Sequence, residues 1–125
     1  MERTKKYLNV VKSIFADIHV GKIDAITSTV TLTEVLVLPF RMGDKLLIEK
    51  YKQILLYSEG LTTFEIFHEV SEQASELRAR YSIKTPDAIQ IAVGILYGAD
   101  VFLTNDSDFK QVEDIKVMVL DDFLD

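Results

Sequence analysis

Residues 83–109 read IKTPDAIQIAVGILYGADVFLTNDSDF. This stretch decides the fold. Thr85-Pro86 opens a helix: threonine caps a helix start well, and proline suits the first helical position, where its missing N–H would be unpaired anyway. Gly98 closes that helix. Val101-Phe102-Leu103 is then a short apolar strand, and Asn105 to Asp108 is a turn or a helix start. A helix passing into a strand through so short a connection is the unit of an α/β protein.

Working outward, the same alternation continues. Tyr7, Val10, Val11, Ile14, Phe15 and Ile18 recur at spacings of three and four, which predicts an amphipathic helix over Glu2–Val20 ended by Gly21. Ile23–Ser28 reads as a strand with Ile23, Ala25 and Ile26 inward. A second helix is expected from Thr31 to Leu38, stopped by Pro39. Gly43-Asp44 precedes a third, with Leu46, Leu47, Tyr51, Ile54 and Leu55 on one side, and Gly60 ends it. Leu61–Glu65 is a strand. Phe67, Val70, Ala74, Leu77 and Tyr81 mark a fourth helix, and Ile115–Leu120 the last strand. The sum is one α/β domain over residues 1–125 with a mainly parallel sheet. In such sheets the working groups gather at the carboxyl ends of strands.

Composition narrows the function. The chain has 125 residues, 48% of them hydrophobic, so a compact core is feasible. It has no cysteine, which excludes disulfides, thiolate metal sites and cysteine nucleophiles. The net charge of −6 argues against a protein that coats nucleic acid by bulk electrostatics. It leaves room for one that holds a phosphodiester locally through metal ions, since the ligands would themselves be acidic. Asn9, Lys12 and Asp17 break any signal-peptide core, and the longest apolar stretch, Val35–Phe40, is too short to span a bilayer. A cytoplasmic protein with no membrane association is the simplest reading.

Three acidic residues stand out. Glu34 lies among apolar neighbours in Leu32-Thr-Glu-Val-Leu-Val-Leu; if buried it needs a partner or a metal, and otherwise it lies on the exposed stripe of its helix. Asp87 sits in the first turn of its helix, where the dipole keeps it ionised; that alone also suits plain helix-start stabilisation. Asp106 follows the strand at Val101–Leu103, where it would face the crevice, or would simply form an Asx turn. Asp108 is placed to support it. Together they form a more specific pattern, because each lies near a β-to-α connection and such points converge in a parallel sheet. Clustered carboxylates need a cation, and all-oxygen ligands suit Mg²⁺ or Mn²⁺. Glycine-rich phosphate loops and Gly-x-Ser-x-Gly elbows are absent. His19 and His68 read as solvated, and Arg78, Arg80 and Lys84 as a solvated helix face with a lesser chance of touching phosphate.

Thr29-Val-Thr-Leu-Thr-Glu34-Val-Leu, Ile83-Lys-Thr-Pro-Asp87-Ala-Ile-Gln-Ile-Ala and Phe102-Leu-Thr-Asn-Asp106-Ser-Asp-Phe109 together resemble the successive signatures of PIN domains, which include the toxin ribonucleases of VapBC toxin–antitoxin pairs. The resemblance covers roughly Tyr7 to Asp122. It implies a Rossmann-like, three-layer fold with a central parallel sheet, acidic residues binding Mg²⁺ or Mn²⁺, and cleavage of single-stranded RNA. It assigns Glu34, Asp87 and Asp106 as catalytic and metal-binding, with Asp108 at a position acidic in some members. It also implies an antitoxin partner and a homo-oligomer, such as a dimer.

One departure stands out. Family members usually begin with an apolar strand ending in Asp, and no residue of Met1–Lys6 stands in for it. The expectation is weaker metal binding and weaker hydrolysis. A second expectation is that Ile23–Ser28 and Val101–Thr104 pair directly, or that another chain covers the gap between them. Three functions stay open: a metal-dependent ribonuclease; a catalytically impaired PIN-like module that binds an antitoxin or itself; and a domain whose acids are only caps and surface charges.

Overall fold

A computed structural model describes residues 2–123, with side chains from 9 to 122. Its elements alternate as the periodicity requires. They are α1 (Glu2–His19), β1 (Ala25–Ser28), α2 (Thr29–Met42), α3 (Lys45–Tyr57), β2 (Leu61–Phe64), α4 (His68–Arg80), α5 (Thr85–Leu96), β3 (Val101–Thr104) and β4 (Lys116–Val119). Short 3-10 turns of helix cover Ser107–Gln111 and Leu120–Phe123.

The core forms around α4 and α5. Val70, Ala74 and Leu77 recur at four and three residues, so they share one face of α4, and all three are buried. They meet Ala88, Ile91, Ala92 and Val93 of α5, with Ile83, Phe109 and Val112 completing the cluster. Ile26 of β1, Phe64 of β2, Phe102 of β3 and Val117 of β4 pack against it. Each large side chain buried in this way stabilises the fold by about 1.5–3 kcal/mol. The rings of Phe64 and Tyr97 stack at 3.9 Å, and Phe102 meets Phe109 edge-on at 5.8 Å.

The strands are parallel, as expected, but the sheet is in two parts. β1 pairs with β2 from Ala25↔Leu61 to Ser28↔Phe64, and β3 pairs with β4 from Val101↔Lys116 to Thr104↔Val119. The expected direct pairing of β1 with β3 does not form among the described residues. Helix α5 instead contacts both β1 and β3 and ties the two halves through its buried face. Among the described residues each of the four strands therefore keeps one edge unpaired, an arrangement that parallel sheets rarely leave open.

Several boundaries and faces differ from the pattern-based reading. Helix α2 begins at Thr29 and does not stop before Pro39; it runs through it to Met42. An internal proline removes a donor and crowds the carbonyl four residues back, at about 3 kcal/mol. Here Pro39 is fully buried, and the stop comes from Gly43, whose φ of 66° lets its N–H reach the carbonyl of Phe40. On α3 the buried residues are Ile48 and Leu55, while Leu46 is 86% exposed. Phe15, Ile23 and Phe67 are also exposed rather than inward. Tyr7 lies outside the described side chains. Thr85 is the first helical residue of α5 and Lys84 takes the cap position without a side-chain bond. The Thr85 hydroxyl accepts from Arg78 Nη1 instead.

Gly60 meets a strict requirement. Its φ is 81°, and a Cβ there would stand 2.8 Å from the Ile18 carbonyl oxygen, so only glycine fits where the end of α1 crosses the entry to β2.

Candidate active site

The carboxyl end of β1 is built by hydroxyls and one amide. Ser28, the last residue of β1, is completely buried. Its Oγ accepts from the Val30 N–H at 3.1 Å, which caps α2, and donates to Gln90 Oε1 at 2.8 Å. The other end of the same amide, Gln90 Nε2, donates to Thr31 Oγ1 at 2.6 Å. Thr31 and Thr27 share a further hydroxyl bond of 2.8 Å. No buried side-chain polar atom among the described residues is left without a partner.

This junction joins the two helices that carry Glu34 and Asp87. Thr31 and Glu34 are three residues apart and so lie on one face of α2; Asp87 and Gln90 are likewise on one face of α5. Thr31 touches Gln90, so the two acid-bearing faces meet, with each acid about 4.5 Å along its helix from the contact. Glu34 is exposed and Asp87 half-buried. Glu34 therefore lies on the exposed stripe of its helix, the alternative weighed from the sequence. Asp87 lies in the first turn of α5, where free N–H groups face a carboxylate.

Asp106 follows β3. Its N–H donates to Thr104 Oγ1 at 3.1 Å, and its Oδ1 accepts from the Asp108 N–H at 2.9 Å, capping the 3-10 turn. The Asx-turn geometry is therefore present, and Oδ2 remains outside that bond. Asp108 is exposed. Among the described residues no three His, Asp or Glu side chains stand close enough together to hold a metal ion. The junction joins the helices that carry Glu34 and Asp87, and Asp106 and Asp108 stand with β3 in the other half of the sheet.

The nearby basic residues are partly engaged. Arg80 and Tyr81 both donate to Asp114. The Asp114 carboxyl is held below the usual carboxylate range, first by the Tyr81 hydroxyl and then by Arg80, with desolvation opposing. Arg78 Nε donates to the Ile83 carbonyl at 3.0 Å. It lines a cavity of about 360 Å³ with Ser71, Ser75, Thr85 and Ile89. His19 and His68 are exposed, as expected.

The pattern-based reading missed Ser28, Thr31 and Gln90. The available signal was Gln90 itself, the one uncharged amide within the apolar run of Ala88 to Leu96.

The chain matches the PIN domain family over residues 3–115 and belongs to it. The alternation of helices with parallel strands is that fold, and the family is one of nucleases that generally use divalent metal ions. A chain of the toxin-antitoxin complex from Klebsiella pneumoniae has a similar structure, with a TM-score of 0.58 and 24% identity over 74% of this chain and 71% of that one. At that identity the likeness speaks for the fold. No curated protein matches the sequence. No described helix is long and apolar enough to cross a membrane.

Proposed function

We propose that this chain is a metal-dependent endoribonuclease domain of the PIN toxin type, acting on single-stranded RNA in the cytoplasm. The observation that carries the reading is the placement of the acids. Glu34 follows the carboxyl end of β1, Asp106 follows the carboxyl end of β3, and Asp87 opens the helix that bridges them. These are the positions at which parallel α/β sheets place their working groups.

The donor chemistry fits Mg²⁺ or Mn²⁺, both of which prefer carboxylate oxygens. Mg²⁺ commonly takes only one or two protein carboxylates, with water and substrate phosphate completing its shell. Glu34 and Asp87 would supply that pair, while Asp106 and Asp108 stand apart with β3. A bound ion would supply an activated water and charge neutralisation at the phosphodiester. The protein's own part is to hold the carboxylates in place.

A second reading is favoured by the split sheet and by the absence of a three-acid group among the described residues. In it the chain is an impaired PIN-like module that binds an antitoxin or a second copy of itself. The exposed Val37, Leu38, Phe40 and Met42 of α2 and Leu46 of α3 suit such a contact. The toxin-antitoxin neighbour supports an antitoxin as the partner.

Cleavage of a labelled single-stranded RNA separates the two. The first reading expects Mn²⁺-dependent cleavage that stops with chelator and in Asp87→Asn. Cleavage that persists in both controls, or none under any divalent ion, decides against it.

A further inference from the structure

We infer that Gln90 is a positioning residue that sets the spacing of Glu34 and Asp87; the inference rests on the carboxylate site proposed above. Little joins α2 to α5 apart from one amide. Of the fourteen residues of α2 only Pro39 is buried, and that residue lies in the last turn of the helix, away from the junction with β1. Val37, Leu38, Phe40 and Met42 face solvent, and the apolar packing that α2 has is chiefly against α3 rather than against α5. At its beginning, α2 meets α5 through the Gln90 amide.

That amide is used at both ends. Oε1 accepts from Ser28, the residue joining β1 to α2, and Nε2 donates to Thr31 one turn into α2. A primary amide carries an acceptor and a donor in one plane, and this junction uses one of each. Gln90 itself is anchored, because its neighbours Ala88, Ile91, Ala92 and Val93 are all buried in the core. The rigid helix therefore holds the loosely packed one, at the point where the faces of Glu34 and Asp87 meet. Groups that orient metal ligands commonly change affinity by about 10–100-fold when removed.

The absence of cysteine makes a direct test clean. Thr33→Cys beside Glu34 and Lys84→Cys at the start of α5 are both exposed positions for a pair of spin labels. The distance distribution between them should be narrow in the parent. It should broaden at least about twofold in Gln90→Leu and in Thr31→Val, and stay narrow in Thr31→Ser, which keeps the hydroxyl. Circular dichroism confirms that each variant is folded; if Gln90→Leu is not, Thr31→Val carries the comparison. A folded variant lacking the bond but keeping the parent distribution overturns the inference. Mn²⁺ titration of the unlabelled chains is the second arm, with affinity expected to fall about tenfold in Gln90→Leu. If the parent binds no Mn²⁺ while the distribution still broadens, the metal reading falls and the positioning of the two residues stands. If the parent binds Mn²⁺ and Gln90→Leu binds it equally well, the positioning role falls and the metal reading stands.

Discussion

Helices α2 and α5 have similar raw material and opposite fates. Both are largely apolar, α2 through Val and Leu and α5 chiefly through Ile and Ala, both carry a proposed carboxylate, and both contain a proline. Yet α5 buries Ala88, Ile91, Ala92, Val93 and Gly94, whereas α2 buries only Pro39 and leaves Leu38, Phe40 and Met42 more than 60% exposed. The difference is one of neighbours. Helix α5 has α4 on one side and both half-sheets on the other, while α2 has chiefly α3, whose own Leu46 and Tyr57 point outward. Apolar content thus does not by itself mark the core. In α2 much of it marks a surface, and the polar bonds of Gln90 are what join that helix to α5.

Substitutions can break this contrast. The largest effect is expected at Ile91, which is fully buried: Ile91→Ala should cost about 2–5 kcal/mol in urea unfolding. Leu38→Ala, at the surface of α2, should change stability by no more than about 0.5 kcal/mol. Equal losses at the two sites would mean that α2 is packed as α5 is.

Next in size is Gly60→Ala. The added methyl would meet the Ile18 carbonyl oxygen at 2.8 Å, and φ there is positive, so a loss of more than about 1 kcal/mol is expected. A neutral result would show that α1 yields freely at its end. The smallest effect concerns pH. Because the folded state lowers the Asp114 pKa, its contribution is present above the ordinary carboxylate range and fades as pH falls through the folded value. Tyr81→Phe removes the largest cause and should flatten the acid side of the stability profile. A profile unchanged from the parent would assign the lowering to Arg80 instead.

Much of the architecture was readable from local chemistry. Thr85-Pro86, the three- and four-residue spacing of Val70, Ala74 and Leu77, and the glycines at 21, 43 and 98 mark real helix starts, faces and ends, whereas α3 stops at Tyr57, before Gly60. Pro39 misled because a proline's local penalty says nothing of the burial that accompanies it. Leu46 and Ile54 misled because helical spacing shows that residues share a face, and only tertiary contact decides which face is covered. The split between β1 and β3 lay beyond local pattern altogether, since strand pairing is a long-range property. At the site, the acids were visible as charged residues near β-to-α connections. Gln90 was not, because its value lies in partners 59 and 62 residues away in sequence.

The proposal that Glu34 and Asp87 share a divalent ion is tested most directly by calorimetric titration of the chain with Mn²⁺, beside Glu34→Gln and Asp87→Asn. The expected result is saturable binding by the parent that is lost or weakened at least about tenfold in each variant, with folding unchanged. Binding of equal strength in all three chains, or no binding by the parent, would contradict it.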